Sequence, residues 1–249
     1  MQLLHRTTRS VRLTEEGATY LASCRQTLAE LHAAEDAIKG IPAEPQGTLV
    51  VSAPVVFGRI HVVPIVTALL HQNPRLSARL ALIDRTVDLA EEGIDVAIHV
   101  GEPEDSSLQA IGVGAVRYML VASPTYLQAH GTPAAPAELR RHELIVIAGA
   151  ATGHEWRFGP GTKRTVRGRM SVNTADAAIA AAEAGFGITR ALSYQVAAAI
   201  AVGRLRQILA SESPPPVPVT LLAQAARSGS PNVRSFIDQA KKYFRTQTL

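Results

Sequence analysis

Hydroxyl, amide and imidazole side chains recur where predicted strands end and predicted helices begin. Ser52 closes an apolar strand, and Asn173-Thr174 precedes an alanine-rich helix. The first N–H groups of a helix lack partners within it, so such positions can bind a carboxylate or a similar anion. Each position could equally be a plain cap or turn, since Ser, Thr and Asn favour both. The candidate ligand-binding residues are Ser52, Pro54, Phe57, His99, Ser123, Asn173, Thr174 and Thr189.

Catalytic and cofactor-binding motifs are missing from the sequence. Gly112-Val113-Gly114 lacks the third glycine of a dinucleotide fingerprint, and no GxxxxGK[ST], HExxH or GxSxG motif occurs. The eight histidines are scattered along the chain. The single cysteine, Cys24, excludes an intramolecular disulfide and a cysteine-based zinc site. The sequence therefore predicts a protein that is not an enzyme and that uses no cofactor or metal.

The composition is that of an ordinary globular protein. The 249 residues are 47% hydrophobic and 18% charged, with a net charge of +4. A chain of this length buries a core without metal or disulfide support. No uninterrupted apolar run reaches the roughly 18–20 residues that span a bilayer, and the N-terminus lacks the pattern of a secretory signal. These features predict a cytoplasmic protein that does not contact a membrane.

The N-terminal stretch is basic. Residues 3–13 contain Arg6, Arg9 and Arg12 but no acidic residue, and their hydroxyl and β-branched side chains favour a tight hairpin. We expect Arg6, Thr8, Arg9 and Arg12 to contact the phosphates of duplex DNA, where they would add affinity but read no bases. The alternative is a solvated basic turn.

A long helix is predicted over residues 15–40, because Thr14 can cap its start and Gly40 and Pro42 end it. Its narrow apolar stripe needs a partner, and an identical helix is the simplest one, which predicts a dimer. The alternative is packing of this helix against its own chain. The stripe consists of Leu21, Cys24, Leu28, Leu31 and Ile38.

Strands and helices alternate beyond the Pro/Gly-rich segment at 40–47. A strand at 48–52, a helix at 57–72 and strands at 76–83 and 94–100 indicate an α/β fold with parallel strands and covering helices. A second set of elements follows Ser123, and the chain returns to the first set near Val219. Two crossovers between two α/β lobes predict a hinged pair of lobes with a cleft between them.

Several stretches resemble the LysR-type transcriptional regulators. The N-terminal stretch is similar to the wing and linker helix of that family, and the remaining stretches to its effector-binding domain. They are LLHRTTRSVRLTEEGATYL at 3–21, VSAPVVFGRIHVVP at 51–64, VDLAEEGIDVAIHVGEPEDSSLQA at 87–110, ASPTYLQAHGTP at 122–133, GRMSVNTADA at 168–177 and AGFGI at 184–188.

The resemblance implies a two-lobed domain similar to periplasmic binding proteins, a small organic effector in its cleft, and homodimers or homotetramers that bind promoter DNA. It implies a winged helix-turn-helix remnant at 1–14, a linker and dimerisation helix with a hinge at 15–46, and an effector-binding domain at 47–249. Lobe I is expected at 47–121 and 221–249, and lobe II at 122–220.

Members of the family begin with a helix-turn-helix that reads DNA bases, whereas this sequence starts at Met1, just after that element. We therefore expect impaired base reading in the chain as given. The first hypothesis is a ligand-responsive transcription factor whose start lies upstream. The second is a stand-alone ligand sensor or dominant-negative partner without sequence-specific DNA binding. The third, a solute-binding protein of a transporter, is disfavoured because a wing and a linker helix precede the lobes.

Overall fold

The computed structural model shows an α/β protein in which two five-stranded sheets are joined by two crossovers. Two short hairpins accompany these sheets. The structure describes residues 2–6, 11–14, 16–17, 20–21, 24, 27–28, 44–103, 108–148, 155–159, 161–225 and 227–247.

The N-terminal hairpin pairs β1 (Leu4–Arg6) with β2 (Val11–Leu13) in antiparallel register. The Thr14 hydroxyl oxygen then accepts a hydrogen bond from the N–H of Gly17 at 2.9 Å, which caps the start of a helix. The helix is seen at the described positions between residues 16 and 28. The predicted hairpin and the predicted cap are both confirmed. The second half of the predicted helix, with Leu31 and Ile38, lies outside the described residues.

Lobe I is built on the first five-stranded sheet. The strands, in their order across the sheet, are β4 (Leu76–Leu82), β3 (Gly47–Ala53), β5 (Val96–Val100), β14 (Val217–Gln224) and β6 (Leu108–Val116). Strand β3 pairs in parallel with β4 and β5, whereas β14 runs antiparallel to both β5 and β6. The helices of this lobe are α1 (Val55–Gln72) and α5 (Pro231–Phe244).

Helix α1 is the core helix of lobe I. Among the described residues it is the one helix that is long and apolar enough to cross a membrane, on length and composition alone. Its buried side chains, including Ile65 and Leu69, share one apolar core with Phe236 and Ile237 of α5. Burial of this face accounts for the apolar composition of the helix. Its second turn, Gly58–Val62, has the wider π-helical spacing.

Lobe II is built on the second five-stranded sheet. The strands, in sheet order, are β11 (Met170–Val172), β8 (Leu144–Ile147), β12 (Ile188–Leu192), β7 (Tyr118–Ala122) and β13 (Arg206–Ile208). Strands β11, β8 and β12 are parallel, and β7 runs antiparallel to β12 and β13. The helices of this lobe are α2 (Pro124–His130), α3 (Ala175–Glu183) and α4 (Ser193–Ala201). The hairpin of β9 (Glu155–Phe158) and β10 (Thr162–Thr165) covers one face with Trp156 and Phe158.

Both crossovers come a few residues earlier in the chain than the sequence predicts. Residues 108–122 read as one extended stretch, but the strand breaks at Arg117 because β6 and β7 belong to different sheets. The first crossover is therefore Arg117 and not 121–122. The return is complete at Val217, where β14 begins, and not at 220–221. Both sheets are mixed, since each contains antiparallel strands beside the expected parallel ones.

Candidate functional site

One edge of lobe I faces lobe II, and it is formed by the carboxyl ends of β3 and β5. These strands are parallel, so Ser52, Pro54 and His99 lie at the same edge. The two strands that lead to and from lobe II also meet there, because β6 ends at Val116 directly opposite Val217 at the start of β14. The structure therefore brings these three predicted residues to the edge of lobe I that faces lobe II, where Ser52 is buried at 3% exposure and Pro54 and His99 are half-buried.

The start of α1 already has a carboxylate as its partner. The Val55 N–H donates a hydrogen bond to Oδ1 of Asp84 at 3.0 Å. Asp84 reaches this position because β4 runs parallel to β3, with Leu82 opposite Ala53, and Asp84 follows two residues later. The sequence predicted that a bound anion would use these N–H groups. In the structure one of these groups, the Val55 N–H, binds the chain's own acid.

Lobe II contributes the start of α3 to the cleft. The hydroxyl of Thr174 caps this helix by accepting a hydrogen bond from the Ala177 N–H at 3.3 Å, and Asn173 before it is exposed. In the first turn of α3, Oδ1 of Asp176 lies 3.8 Å from Nη2 of Arg59 on α1. This contact joins the two lobes and places Asn173 and Thr174 opposite the beginning of α1.

Arg59 and Asp176 were missed by the sequence analysis. Both side chains are exposed, at 64% for Arg59 and 57% for Asp176. Arg59 lies two residues beyond the candidate Phe57, and Asp176 lies two residues beyond the predicted cap Thr174. Both side chains lie within one helical turn of a predicted helix start, but the sequence does not show their contact.

Phe57 and His99 differ in their access to the cleft. Phe57 was predicted to contact ligand, but its side chain is wholly buried in the core of lobe I. Its ring lies 5.1 Å from that of Tyr194 on α4, so it packs against lobe II and leaves no surface for a small molecule. His99 is half-buried, and its Nε2 lies 3.2 Å from the carbonyl oxygen of Glu102.

Ser123 was predicted beside the cleft, and the structure places it elsewhere. Strand β7 begins at Tyr118, next to the crossover, and runs away from lobe I. Ser123 follows the far end of this strand, where its hydroxyl oxygen accepts a hydrogen bond from the Tyr126 N–H at 3.2 Å and caps α2. The correction has a simple cause, because the carboxyl end of an antiparallel strand lies at the opposite edge of the sheet.

Thr189 also lies away from the cleft. It was predicted to end its strand, but β12 continues to Leu192, so Thr189 is the second residue of the strand. Its side chain is fully buried, and its hydroxyl donates a hydrogen bond to the carbonyl oxygen of Ile145 at 3.2 Å. We therefore assign Thr189 to the core of lobe II.

The predicted DNA-contacting residues fall mostly outside the described side chains. Thr8 and Arg9 lie in the undescribed segment 7–10. Of Arg6 and Arg12 only the backbone is described, and in the hairpin Arg6 pairs with Val11 and Arg12 with His5. In the parts of the chain that the structure covers, no three His, Cys, Asp or Glu residues group closely enough to hold a metal ion.

The comparisons with known proteins agree on one family. Residues 42–245 match the model of the LysR substrate binding domain. The transcriptional regulator PtxR of Pseudomonas aeruginosa is 30% identical over 246 residues, which cover 98% of this chain and 79% of that protein. CrgA of Neisseria meningitidis, whose structure is described as that of a LysR-type transcriptional regulator, superimposes with a TM-score of 0.75 at 27% identity, over 98% of this chain and 84% of that one.

A second full-length structure, that of the Vibrio cholerae virulence activator AphB, gives a TM-score of 0.72 at 28% identity, with 98% of this chain and 84% of that chain covered. These likenesses extend over both lobes and the N-terminal hairpin and helix. The chain belongs to the LysR family of transcriptional regulators.

Proposed function

We propose that this chain senses a small organic effector in the cleft between its lobes and, as a cytoplasmic oligomer, adjusts transcription by binding promoter DNA. The observation that carries the proposal is the ion pair between Arg59 and Asp176, which spans the two lobes near the ends of β3 and β11. Two crossovers, at Arg117 and before Val217, leave the lobes free to change their separation about a hinge.

We infer that the effector carries a carboxylate and that Arg59 is its cationic partner. The N–H group at the start of α1 is occupied by Asp84, so charge recognition falls to an exposed side chain. Arg59 is 64% exposed and its pair with Asp176 is solvent-screened, worth roughly 0–1 kcal/mol. A carboxylate that forms a bidentate contact with the guanidinium would displace Asp176 at little cost. Thr174, whose side chain is exposed, then supplies a hydrogen bond from lobe II.

The proposed oligomer rests on the N-terminal helix. In the single chain Leu28 is 54% exposed and Tyr20 is 55% exposed, and large apolar side chains at such exposure are favourable partners for a second copy. DNA contacts in the proposal come from Arg6, Thr8, Arg9 and Arg12 in the hairpin. These side chains neutralise phosphates, which adds affinity for duplex DNA but reads no bases.

The experiment that tests the effector site is a thermal-shift screen with aromatic and aliphatic carboxylates, including benzoate and succinate. A carboxylate that stabilises the protein is then mapped by amide hydrogen exchange. We expect new protection at residues 52–59 and 173–177. Protection confined to other surfaces, or an absence of stabilisation by every carboxylate, would contradict the proposal.

A further inference from the structure

A histidine is enclosed at the contact between the lobes. His61, in the π-helical turn of α1, is only 5% exposed. Four aromatic rings surround it, with centroid distances of 4.7 Å to Phe57, 5.8 Å to Tyr194, 5.9 Å to Phe244 and 6.0 Å to Tyr243. These five side chains form what we call the aromatic joint. π-Helical turns of this kind are frequent at functional positions.

Among the described residues, only one of the two imidazole nitrogens of His61 has a hydrogen-bond partner. Nδ1 lies 3.3 Å from the hydroxyl of Tyr243, whereas Nε2 is buried and makes no hydrogen bond within the part of the chain that the structure describes. The neutral ring leaves one nitrogen unsatisfied. The protonated ring would leave an N–H and a positive charge in an apolar enclosure, which is far more costly. Burial accordingly lowers the pKa of His61 below its usual value.

The aromatic joint contains side chains of both lobes. Tyr194 is the second residue of α4 in lobe II, and its ring packs edge-on against Phe57 of lobe I at 5.1 Å. The crossover lies beside it, since the Arg117 N–H donates to the Ser193 hydroxyl at 3.2 Å and the Ser193 N–H donates to the Arg117 carbonyl at 2.8 Å. A change in the packing of the Tyr194 ring therefore changes the position of lobe II relative to lobe I.

The titratable groups that face the imidazole are phenols. Tyr243 approaches it from α5, and Tyr194 approaches it from α4. The pKa of Tyr194 is raised mainly by burial, and the negative charges of Asp84 and Asp176 raise it further. On α1 itself, Arg59 is exposed and paired with Asp176. A proton on His61 therefore meets no carboxylate partner among these neighbours.

We propose that the aromatic joint is a proton-sensitive contact between the lobes. The Tyr194 ring packs against neutral His61, and proton uptake by His61 in mildly acidic solution releases Tyr194 from the joint. The release is local because Phe57 and Phe244 belong to the core of lobe I, whereas Tyr194 is a side chain that lobe II inserts into that core. When Tyr194 withdraws, water reaches the imidazolium, and less packing is lost than if Phe57 or Phe244 moved. The device acts without an effector and so goes beyond the function proposed above.

The test is an NMR titration of the full chain from about pH 8 to about pH 5. The chemical shifts of the carbon-bound protons of the His61 ring report its protonation. The amide chemical shifts of residues 193–196 report whether Tyr194 is packed in the joint. We expect both sets to change at one shared midpoint, below the usual range of histidine. In His61→Phe the amide transition should disappear, while His142→Gln, which removes a histidine in lobe II, should leave it unchanged.

Tyr243→Phe keeps the imidazole and removes the hydroxyl that can accept a hydrogen bond from the protonated Nδ1. Its shared midpoint should move to lower pH, and this variant tests the proposal even if His61→Phe fails to fold. The proposal is overturned if residues 193–196 show the same transition in His61→Phe. It is equally overturned if His61 titrates without any change at those amides, or stays neutral throughout the titration.

Discussion

Arg59 on lobe I and Asp176 on lobe II form an ion pair across the cleft, with 3.8 Å between Nη2 and Oδ1. Because both side chains are exposed, water screens the pair and its contribution to stability is small. The same exposure leaves the guanidinium accessible to an incoming anion. The proposed carboxylate effector would replace this contact between the lobes.

Asp84→Ala should destabilise lobe I modestly. It removes the acceptor of the Val55 N–H at the start of α1, and loss of such a cap costs about 0.5–1 kcal/mol at an exposed position. Urea denaturation of the variant measures this loss. Asp84→Asn keeps a side-chain oxygen and should recover part of it. Equal stability of Asp84→Ala and the native chain would show that the hydrogen bond does not stabilise the helix start.

Asp95→Ala should be far more damaging. Asp95 is buried, accepts a hydrogen bond from the Val50 N–H at 2.8 Å and pairs with Arg227 at 3.0 Å, so it links β3, β5 and the segment after β14. Truncation leaves a buried N–H and a partly buried guanidinium without this carboxylate. We expect a loss of about 2–4 kcal/mol in the free energy of unfolding, measured with urea. The exposed pair of Arg204 and Glu183 is the control, and Glu183→Ala should cost under about 1 kcal/mol.

The stability of the fold should fall in mildly acidic solution because of His61. Burial lowers its pKa in the folded state, so below about pH 6.5 the unfolded chain binds the proton more readily. The neutral His61 ring therefore makes its full contribution to the free energy of unfolding above about pH 6.5, and this contribution is lost as the pH falls toward the folded-state pKa. His142, whose pKa burial also lowers, adds a contribution of the same sign. Urea denaturation at a series of pH values should give a shallower dependence for His61→Phe than for the native chain; parallel curves would exclude the effect.

The N-terminal helix should carry part of the dimer contact. Replacing the exposed Leu28 by Asp places a charge where the apolar stripe is expected to meet a second copy. Each leucine buried in such a contact is worth roughly 1.5–3 kcal/mol, so the dissociation constant should rise at least about tenfold. Light scattering over a concentration series measures it, with the exposed Val202→Asp in lobe II as the matched control. An unchanged mass for Leu28→Asp at every concentration would argue against the stripe.

The sequence predicted the two α/β lobes and the shared position of some candidate residues, for physical reasons that particular residues show. Ser52, Pro54 and His99 share an edge because β3 and β5 are parallel, and the hydrophobic pattern reveals both strands. Strand direction is not encoded in that pattern. Ser123 was misplaced because β7 runs antiparallel to its neighbours, and Thr189 because β12 extends three residues beyond it.

Other features depend on contacts between residues that are distant in the sequence. Asp84 reaches Val55 only through the register of β3 with β4, and Arg59 meets Asp176 only after both lobes have formed. Likewise, nothing in the sequence around His61 shows that Tyr194 and Tyr243 will enclose it. Local patterns predict elements and caps, whereas such pairs follow from the packed fold.

Calorimetric binding of carboxylates to the native chain, Arg59→Gln and Asp176→Asn tests the effector site most directly. For a carboxylate that binds the native chain, Arg59→Gln should weaken affinity by roughly 10-fold or more, because a charge-assisted hydrogen bond is lost. Asp176→Asn should strengthen affinity by removing the competing carboxylate. The control is Arg75→Gln, which alters an exposed, ion-paired arginine at the opposite end of β3 and should change nothing. Unaltered affinity in Arg59→Gln would contradict the assignment of the cleft as the effector site.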